Sequence, residues 1–247
     1  MKKIFMFLAV FGFIAFAAQY AIAQTPELSA DGLTVQTDAP IYQQLKTKFI
    51  EGGAGFMGSI LLCLVFGLAI AIERIIYLNL ATTNTTKLLA KVEEALKNGG
   101  VEAAKEVCRT TRGPVASIFY QGLSRMNQGI DVVEKSVVSY GGVQMSQLEN
   151  GLSWIQLFIA IAPMLGFLGT VLGMISAFDA IEVAGDISPN VVAGGMKIAL
   201  ITTVGGLVVA IILQLFYNYI VAKIDSIVLA MEDSSIALID MLVNNKK

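Results

Sequence analysis

Two long apolar segments between Leu152 and Val221 constrain the fold of this chain more than any other feature. Each is long enough to cross the hydrocarbon core of a bilayer as a helix. Both are rich in glycine and place threonine hydroxyls at membrane depth, and neither carries a carboxylate in its central part. The sequence therefore predicts closely packed membrane helices that have no acid of their own to carry a proton.

Composition supports a multi-span membrane protein and excludes several functions. The chain is 55% hydrophobic and 15% charged, with a mean hydropathy of +0.71. A net charge of −2 argues against a nucleic-acid partner. The chain has no histidine, which removes the usual general base and most zinc sites. One cysteine lies in an apolar segment and the other in a charged segment, so a disulfide is not expected. A metal or a cofactor is not expected either. Paired intramembrane acids and a Ser–Lys pair are also missing, which argues against an enzyme.

The N-terminus has the pattern of a secretory signal peptide. Lys2 and Lys3 precede an apolar run that ends at a small-residue cleavage motif, so residues 1–23 are predicted to be removed. An uncleaved first span is the alternative. Under either interpretation the polar segment 24–52 lies outside the cytoplasm.

The rest of the chain is predicted to be all-α, with three long transmembrane helices extending into a cytoplasmic helical bundle. Eight Lys and Arg residues within 79–150 mark that segment as cytoplasmic, so the mature N-terminus faces the periplasm and the C-terminus the cytoplasm. The predicted segments are transmembrane helices at 53–80, 152–180 and 191–221, a cytoplasmic helical domain at 81–151, an external loop at 181–190 and a cytoplasmic C-terminal helix at 222–247.

Glycine and proline predict breaks in the cytoplasmic helices. Gly99-Gly100 is expected to stop one helix, and Gly113-Pro114 to separate the next two. A helix that begins near Val133 is expected to run through Leu148 and Leu152 into the membrane.

Small residues in the second and third spans predict close helix contacts. Glycines at small-xxx-small spacing let helix backbones approach each other, and a proline inside a span removes one backbone donor and favours a kink. The residues in question are Pro163, Gly166, Gly169, Gly173, Gly205 and Gly206.

Polar side chains in the spans are the candidates for an ion pathway. Thr203, Gln214 and Asn218 share one face of a helix, and amides inside a span need partners or water. Thr170 and Thr202 are candidates as well, although a lone threonine in a span usually bonds back to its own helix. Thr202 points away from Thr203, so the two cannot line the same face.

Charged residues at the span ends have two interpretations each. Lys197 either snorkels to the outer interface or acts as a countercharge or gate beside a partner's acid. Glu73 and Arg74 form either a boundary anchor or a salt-bridge network at the cytoplasmic mouth.

Three sequence runs together resemble the MotA/TolQ/ExbB family, and its ExbB branch most closely. They are Ala-Pro-Met-Leu-Gly-Phe-Leu-Gly-Thr-Val from Ala162, Ala-Leu-Ile-Thr-Thr-Val-Gly-Gly-Leu from Ala199, and Glu73-Arg74 at the end of the first span. The resemblance covers about 52–225. It implies that Thr203 is the pore-facing threonine of the third span and that Thr170 belongs to the Gly-Thr-Val motif.

The family implies an inner-membrane ion-driven motor without a cofactor. Five copies are expected to surround two helices of an ExbD-type partner, each with an aspartate, and to pass work to a TonB-like protein for uptake across the outer membrane. Two positions depart from the pattern: Ile198 stands where relatives often have glutamate, and Ile161 where they often have threonine. A TolQ-like or other stator, or a passive scaffold without an ion path, remains the alternative.

Overall fold

The computed structural model describes residues 41–185 and 189–245, so the predicted signal peptide and most of the predicted external segment lie outside it. The described chain is helical. Its elements are α1 (Ile41–Glu51), α2 (Ala54–Ala81), α3 (Thr85–Thr110), α4 (Pro114–Ser124), a 3-10 turn (Met126–Gln128), α5 (Ile130–Glu149), α6 (Leu152–Ala184) and α7 (Pro189–Asn245).

Helices α2, α6 and α7 supply three apolar segments long enough to cross a membrane, which confirms the predicted fold class. Helix α7 is 57 residues long and continues without a break through position 221, where the composition changes from apolar to amphipathic. The third span and the C-terminal helix are therefore one continuous helix.

The C-terminal part of α7 packs into a helical bundle with α3, α4 and α5. Phe119 of α4 is fully buried there, together with Val92 of α3, Val133 of α5 and Leu238 of α7. These residues follow the apolar stripes of their helices, so burial of one face per helix stabilises the bundle. We call the end of the spans that carries this bundle the bundle side, and the end near Glu51 the far side.

Glycines set the boundaries within the bundle. Gly113 has φ 118° and directly precedes Pro114, the first residue of α4, as predicted. Gly100 takes a non-helical conformation (φ 70°, ψ −163°) that divides α3 into two helical segments, which confirms the predicted stop at Gly99-Gly100. The predicted continuous helix from Val133 into the membrane is wrong, because Gly151 takes a left-handed conformation (φ 83°) between α5 and α6.

Candidate functional site

Helices α6 and α7 approach each other along a line of glycines. A Cβ atom on Gly166 would lie 3.0 Å from the carbonyl oxygen of Thr202, and one on Gly169 only 2.5 Å from the Thr202 hydroxyl oxygen. On Gly173 it would lie 3.1 Å from the Cβ atom of Ala199. Larger side chains at these three positions would push the helices apart. Close packing of this kind replaces the hydrophobic driving force that helices lack in lipid.

The two glycines of the third span have different neighbours. A Cβ on Gly206 would lie 2.5 Å from the carbonyl oxygen of Ala162, immediately before Pro163, which α6 accommodates inside its length. A Cβ on Gly205 would instead meet the side chain of Met57 in α2 at 3.1 Å. Adjacent glycines therefore let α7 pack closely against both other spans.

One close contact was not predicted from the sequence. Gly67 of α2 lies under the side chain of Leu213, whose Cδ1 atom would be 2.7 Å from a Cβ at that position. The only sequence signal for this contact was a glycine inside an otherwise apolar run. A glycine that makes no close helix contact would give the same pattern.

The predicted pore threonines lie in three different environments. Thr202 is 1% exposed and is held in the α6–α7 contact, where its hydroxyl donates to the Ala199 carbonyl at 2.8 Å. Thr203 is half-buried and donates both to the Gly166 carbonyl of α6 and to the Ala199 carbonyl of its own helix, each at 3.3 Å. Thr170 is half-buried and donates to the Phe167 carbonyl at 2.6 Å. Thr203 is thus the one of the three whose hydroxyl bridges two spans.

Two amides extend the polar face of α7 towards the bundle side. The Gln214 side-chain nitrogen donates to the Asn218 side-chain oxygen at 3.1 Å, and both side chains are exposed in the single chain. No Asp, Glu, Lys or Arg occurs in the sequence from 198 to 222. The polar groups of this part of the span are therefore neutral hydroxyls and amides.

Lys197 pairs within its own chain. Its Nζ lies 2.9 Å from Glu51 Oε1, and Glu51 also accepts from Lys48 at 3.0 Å. The lysine side chain is half exposed, as snorkelling requires, but a partner's acid is not needed to pair its charge. Hydrogen bonds from Lys197 and then from Lys48 lower the pKa of Glu51. Glu51 was not predicted as a site residue, because its link to Lys197 depends on tertiary contact between sequence-distant segments.

Arg74 is buried at the bundle end of α2 and is 6% exposed. Its guanidinium donates to the carbonyls of Leu148 and Gln147, the latter at 3.2 Å, and its central carbon lies 4.7 Å from the Tyr77 ring centroid. These carbonyls end α5, where the helix dipole favours a cation. Among the described residues Arg74 makes no salt bridge, so its observed role is to join the first span to the bundle, while Glu73 is exposed.

The fold and the site define an all-helical membrane protein with three candidate spans and a polar stripe on the third. The MotA/TolQ/ExbB proton channel family matches residues 110–233, and the chain belongs to this family. The match includes the second and third spans together with α4, α5 and the adjoining part of α7.

Individual relatives carry related names. The chain is 35% identical over 182 residues to a putative biopolymer transport protein ExbB homolog of Methanothermobacter thermautotrophicus, covering 73% of this chain and 62% of that protein. It is 44% identical over 69 residues to biopolymer transport protein exbB1 of Vibrio cholerae, covering 28% of this chain and 30% of that one. A putative ExbB-like protein 3 of Synechocystis is 27% identical over 156 residues, covering 62% of this chain and 74% of that protein. The chain thus spans about three fifths of the first of these relatives.

Proposed function

We propose that this chain is the channel-forming subunit of an ion-driven motor complex in the bacterial inner membrane. Together with an ExbD-type single-span partner it couples the proton motive force, through a TonB-like protein, to transport across the outer membrane. Family membership supports the general role. The observation that carries the mechanism is the polar face of α7, on which Thr203, Gln214 and Asn218 are the polar groups of a span without acids.

The titratable group of the pathway is supplied by the partner. A charged side chain at the bilayer centre costs at least about 2.5–3.5 kcal/mol, so a proton carrier there needs a polar surround to lower that cost. The hydroxyls and amides of α7 provide such a surround, and residue 198, where relatives often carry a glutamate, is isoleucine. In this proposal this chain provides a neutral polar wall around the ion pathway, and the partner helix provides the aspartate that carries the proton.

Thr203 is the central wall residue of this proposal. Its hydroxyl can donate to either of two carbonyls, one on α6 and one on α7, so it can rotate to a water or a partner carboxylate at little cost. Thr170 lies on α6, one turn beyond Gly166, the residue whose carbonyl Thr203 contacts. Thr202 is buried against Gly169 and contributes to helix packing. In this proposal Thr203 and Thr170 are the threonines that line the ion pathway.

The complex contains several copies of this chain, and five is the number that the family resemblance implies. The exposed large apolar side chains of the spans, such as Phe167, Leu200 and Val204, then face lipid or neighbouring copies. In this arrangement the bundle lies in the cytoplasm, and the far side with Glu51 and Lys197 lies in the periplasm.

A matched set of threonine variants tests the proposal. The complex with its partner is reconstituted into liposomes, and proton flux under an imposed gradient is measured with a pH-sensitive dye. Thr203→Val should abolish flux while the complex still assembles, and Thr203→Ser should retain it. Thr202→Val is the control, because it removes a hydroxyl that does not line the proposed pathway, and it should retain flux. Full flux in Thr203→Val would contradict the proposal.

A further inference from the structure

A groove of about 480 Å³ runs along the surface of the bundle between α5 and α7. Its floor consists of buried apolar side chains, whereas three large apolar side chains in its lining are exposed: Val138 is 69%, Ile236 61% and Met145 41% exposed. From Val228 to Ile239 the groove follows α7 for about 17 Å, which is three helical turns. Exposed apolar surface of this kind marks a site of interaction with another molecule.

The groove also carries negative charge that the chain does not neutralise. Glu134 of α5 and Glu232 of α7 are exposed in its lining, and no lysine or arginine is found among the described residues that line it. Neither carboxylate forms a salt bridge within the part of the chain that the structure describes. The adjoining hollow adds one carboxylate, Asp131, and one cation, Lys135, so the excess charge stays negative. A molecule that complements the groove is therefore apolar on one side and positively charged at its edges.

The groove lies on the side of α7 that carries the polar face of the third span. Asn218, Asp225 and Glu232 recur every seventh residue, close to two helical turns, so they share one side of this continuous helix. Val228, the first groove residue of α7, lies only about 10 Å along the helix beyond position 221, the predicted end of the span. A partner helix that leaves the bilayer beside Asn218 therefore reaches the groove within a few residues.

A membrane partner supplies the chemistry that the groove requires. Segments next to a membrane helix on the cytoplasmic side are rich in lysine and arginine, and an amphipathic helix lays its apolar face into a groove of this shape. A second copy of this chain offers a poorer match. Helix α3 has three exposed lysines, Lys87, Lys91 and Lys97, but no large apolar side chain of α3 is exposed. The combination of charge and apolar surface therefore favours the partner as the occupant.

We propose that this groove binds a basic amphipathic helix of the single-span partner, the stretch that adjoins its membrane helix on the bundle side. Apolar side chains of that stretch pack over Gly141 and against Val138 and Ile236, and its lysines or arginines pair with Glu134 and Glu232. The contact joins the partner to the bundle as well as to the pore wall. This inference rests on the proposed function for the identity of the partner and for the cytoplasmic position of the bundle.

The test measures binding of a dye-labelled peptide to the purified full-length chain in detergent by fluorescence anisotropy, with empty micelles as the baseline. The peptide is about 12 residues long, enough for three helical turns, with leucine at every third and fourth position and lysine between them. A second peptide carries glutamate in place of each lysine. The chain without its partner should bind the lysine peptide, less tightly as salt is added, and should not bind the glutamate peptide. Equal binding of the two peptides would overturn the inference.

Charge variants locate the contact. Glu134→Gln and Glu232→Gln should each lower the affinity for the lysine peptide about twofold to fivefold, as expected for an exposed ion pair, and the double variant should lower it further. Asp233→Asn is the matched control, because Asp233 is exposed on the same helix but does not line the groove, so its loss of one charge should leave affinity unchanged. Wild-type affinity in the double variant would contradict the inference.

A variant that fills the groove tests its apolar part. A Cβ atom on Gly141 would meet no atom within 4 Å, so Gly141→Leu should fold without loss of thermal stability and should block peptide binding. Thr203→Val, which is expected to lose proton flux, should bind the peptide as the wild type does. Failure of the ion pathway and failure of the groove are therefore distinguished by separate variants.

The occupant is tested by comparing the chain alone with the complex that contains the single-span partner. The complex should bind the lysine peptide more weakly, because the partner already fills the groove. Equal peptide binding by the two preparations would show that the partner does not lie there. If the chain alone binds no peptide, and a bifunctional thiol reagent joins Val138→Cys of one copy to another copy, the groove belongs to a second copy and the inference is wrong.

Discussion

Lys197 Nζ lies 2.9 Å from Glu51 Oε1, so the far end of the third span is joined to the helix that precedes the first span. A half-exposed lysine near a membrane boundary can satisfy its charge in water, yet here it meets a carboxylate on a sequence-distant segment. The pair therefore restrains α1 against α7, and its removal has measurable consequences for α1.

We expect α1 to become more mobile when this pair is broken. Lys197→Met and Glu51→Gln should both increase the motion of a spin label at position 46 in a cysteine-free background, as read from its electron paramagnetic resonance line shape. Lys48→Met is the control: Lys48 also contacts Glu51, but it belongs to the same helix, so its loss leaves the link to α7 in place. Equal mobility in all four proteins would show that the pair restrains nothing.

The same label should respond to pH with a defined sign. The two lysines lower the pKa of Glu51 below its ordinary value, so the paired form is fully present above the ordinary carboxyl range and is lost as the pH falls through the lowered value. Label mobility in the wild type should therefore rise only in acid, and Glu51→Gln should show no such transition. A transition near neutral pH would point to a different titrating group.

Arg74 should contribute to stability through the carbonyls at the end of α5. Arg74→Met removes a charged donor from the carbonyls of Gln147 and Leu148, and hydrogen bonds to charged groups are worth about 1.5–3 kcal/mol, so the melting temperature in detergent should fall. Arg74→Lys should fall less, because one ammonium still reaches the site. Glu73→Gln, at the exposed neighbouring position, should melt as the wild type does. An unchanged melting temperature in Arg74→Met would refute this role.

Gly206 should tolerate no side chain. Its added Cβ would lie 2.5 Å from the Ala162 carbonyl oxygen, and backbone cannot move aside as a side chain does. Overpacking of this kind costs about 1–3 kcal/mol, so Gly206→Ala should lower the thermal stability of the purified chain. Gly194→Ala lies in the same helix with open space around it and should be neutral or slightly stabilising through helix propensity. Equal melting temperatures for Gly206→Ala and Gly194→Ala would contradict this prediction.

Much of this architecture could be predicted from the sequence, because it depends on local pattern. The three spans, the break at Gly113-Pro114 and the need for small residues at Gly166 and Gly169 all follow from periodicity and residue size. The continuity of α7 could not be predicted in the same way, because a change in composition at position 221 resembles a boundary although the helix has no breaker there.

The candidate site was harder to predict where it depends on tertiary contact. The pattern places Thr203, Gln214 and Asn218 on one face, but it does not reveal that Thr203 reaches the Gly166 carbonyl. The partners of Lys197 and Arg74 were missed for the same reason: each lies far away in the sequence, and backbone carbonyls carry no sequence signal at all.

Water access should follow the polar face of α7. In the assembled complex without native cysteines, Asn218→Cys should react with a water-soluble thiol reagent, because the Asn218 side chain is exposed on the face proposed to border the pore. Val208→Cys is the control, because Val208 is also exposed in the single chain but lies five positions from Thr203, on a different side of the helix. Faster reaction at position 208 than at position 218 would contradict the prediction that the pore borders the face of Thr203, Gln214 and Asn218.

The central claim is that this chain forms a neutral polar wall and that the partner supplies the proton-carrying acid. The most direct measurement is gradient-driven proton flux into liposomes that contain this chain alone, the chain with its single-span partner, or the chain with a partner whose membrane aspartate is changed to asparagine. The account predicts flux only in the second preparation. Comparable flux from the chain alone, or from the complex with asparagine, would contradict it.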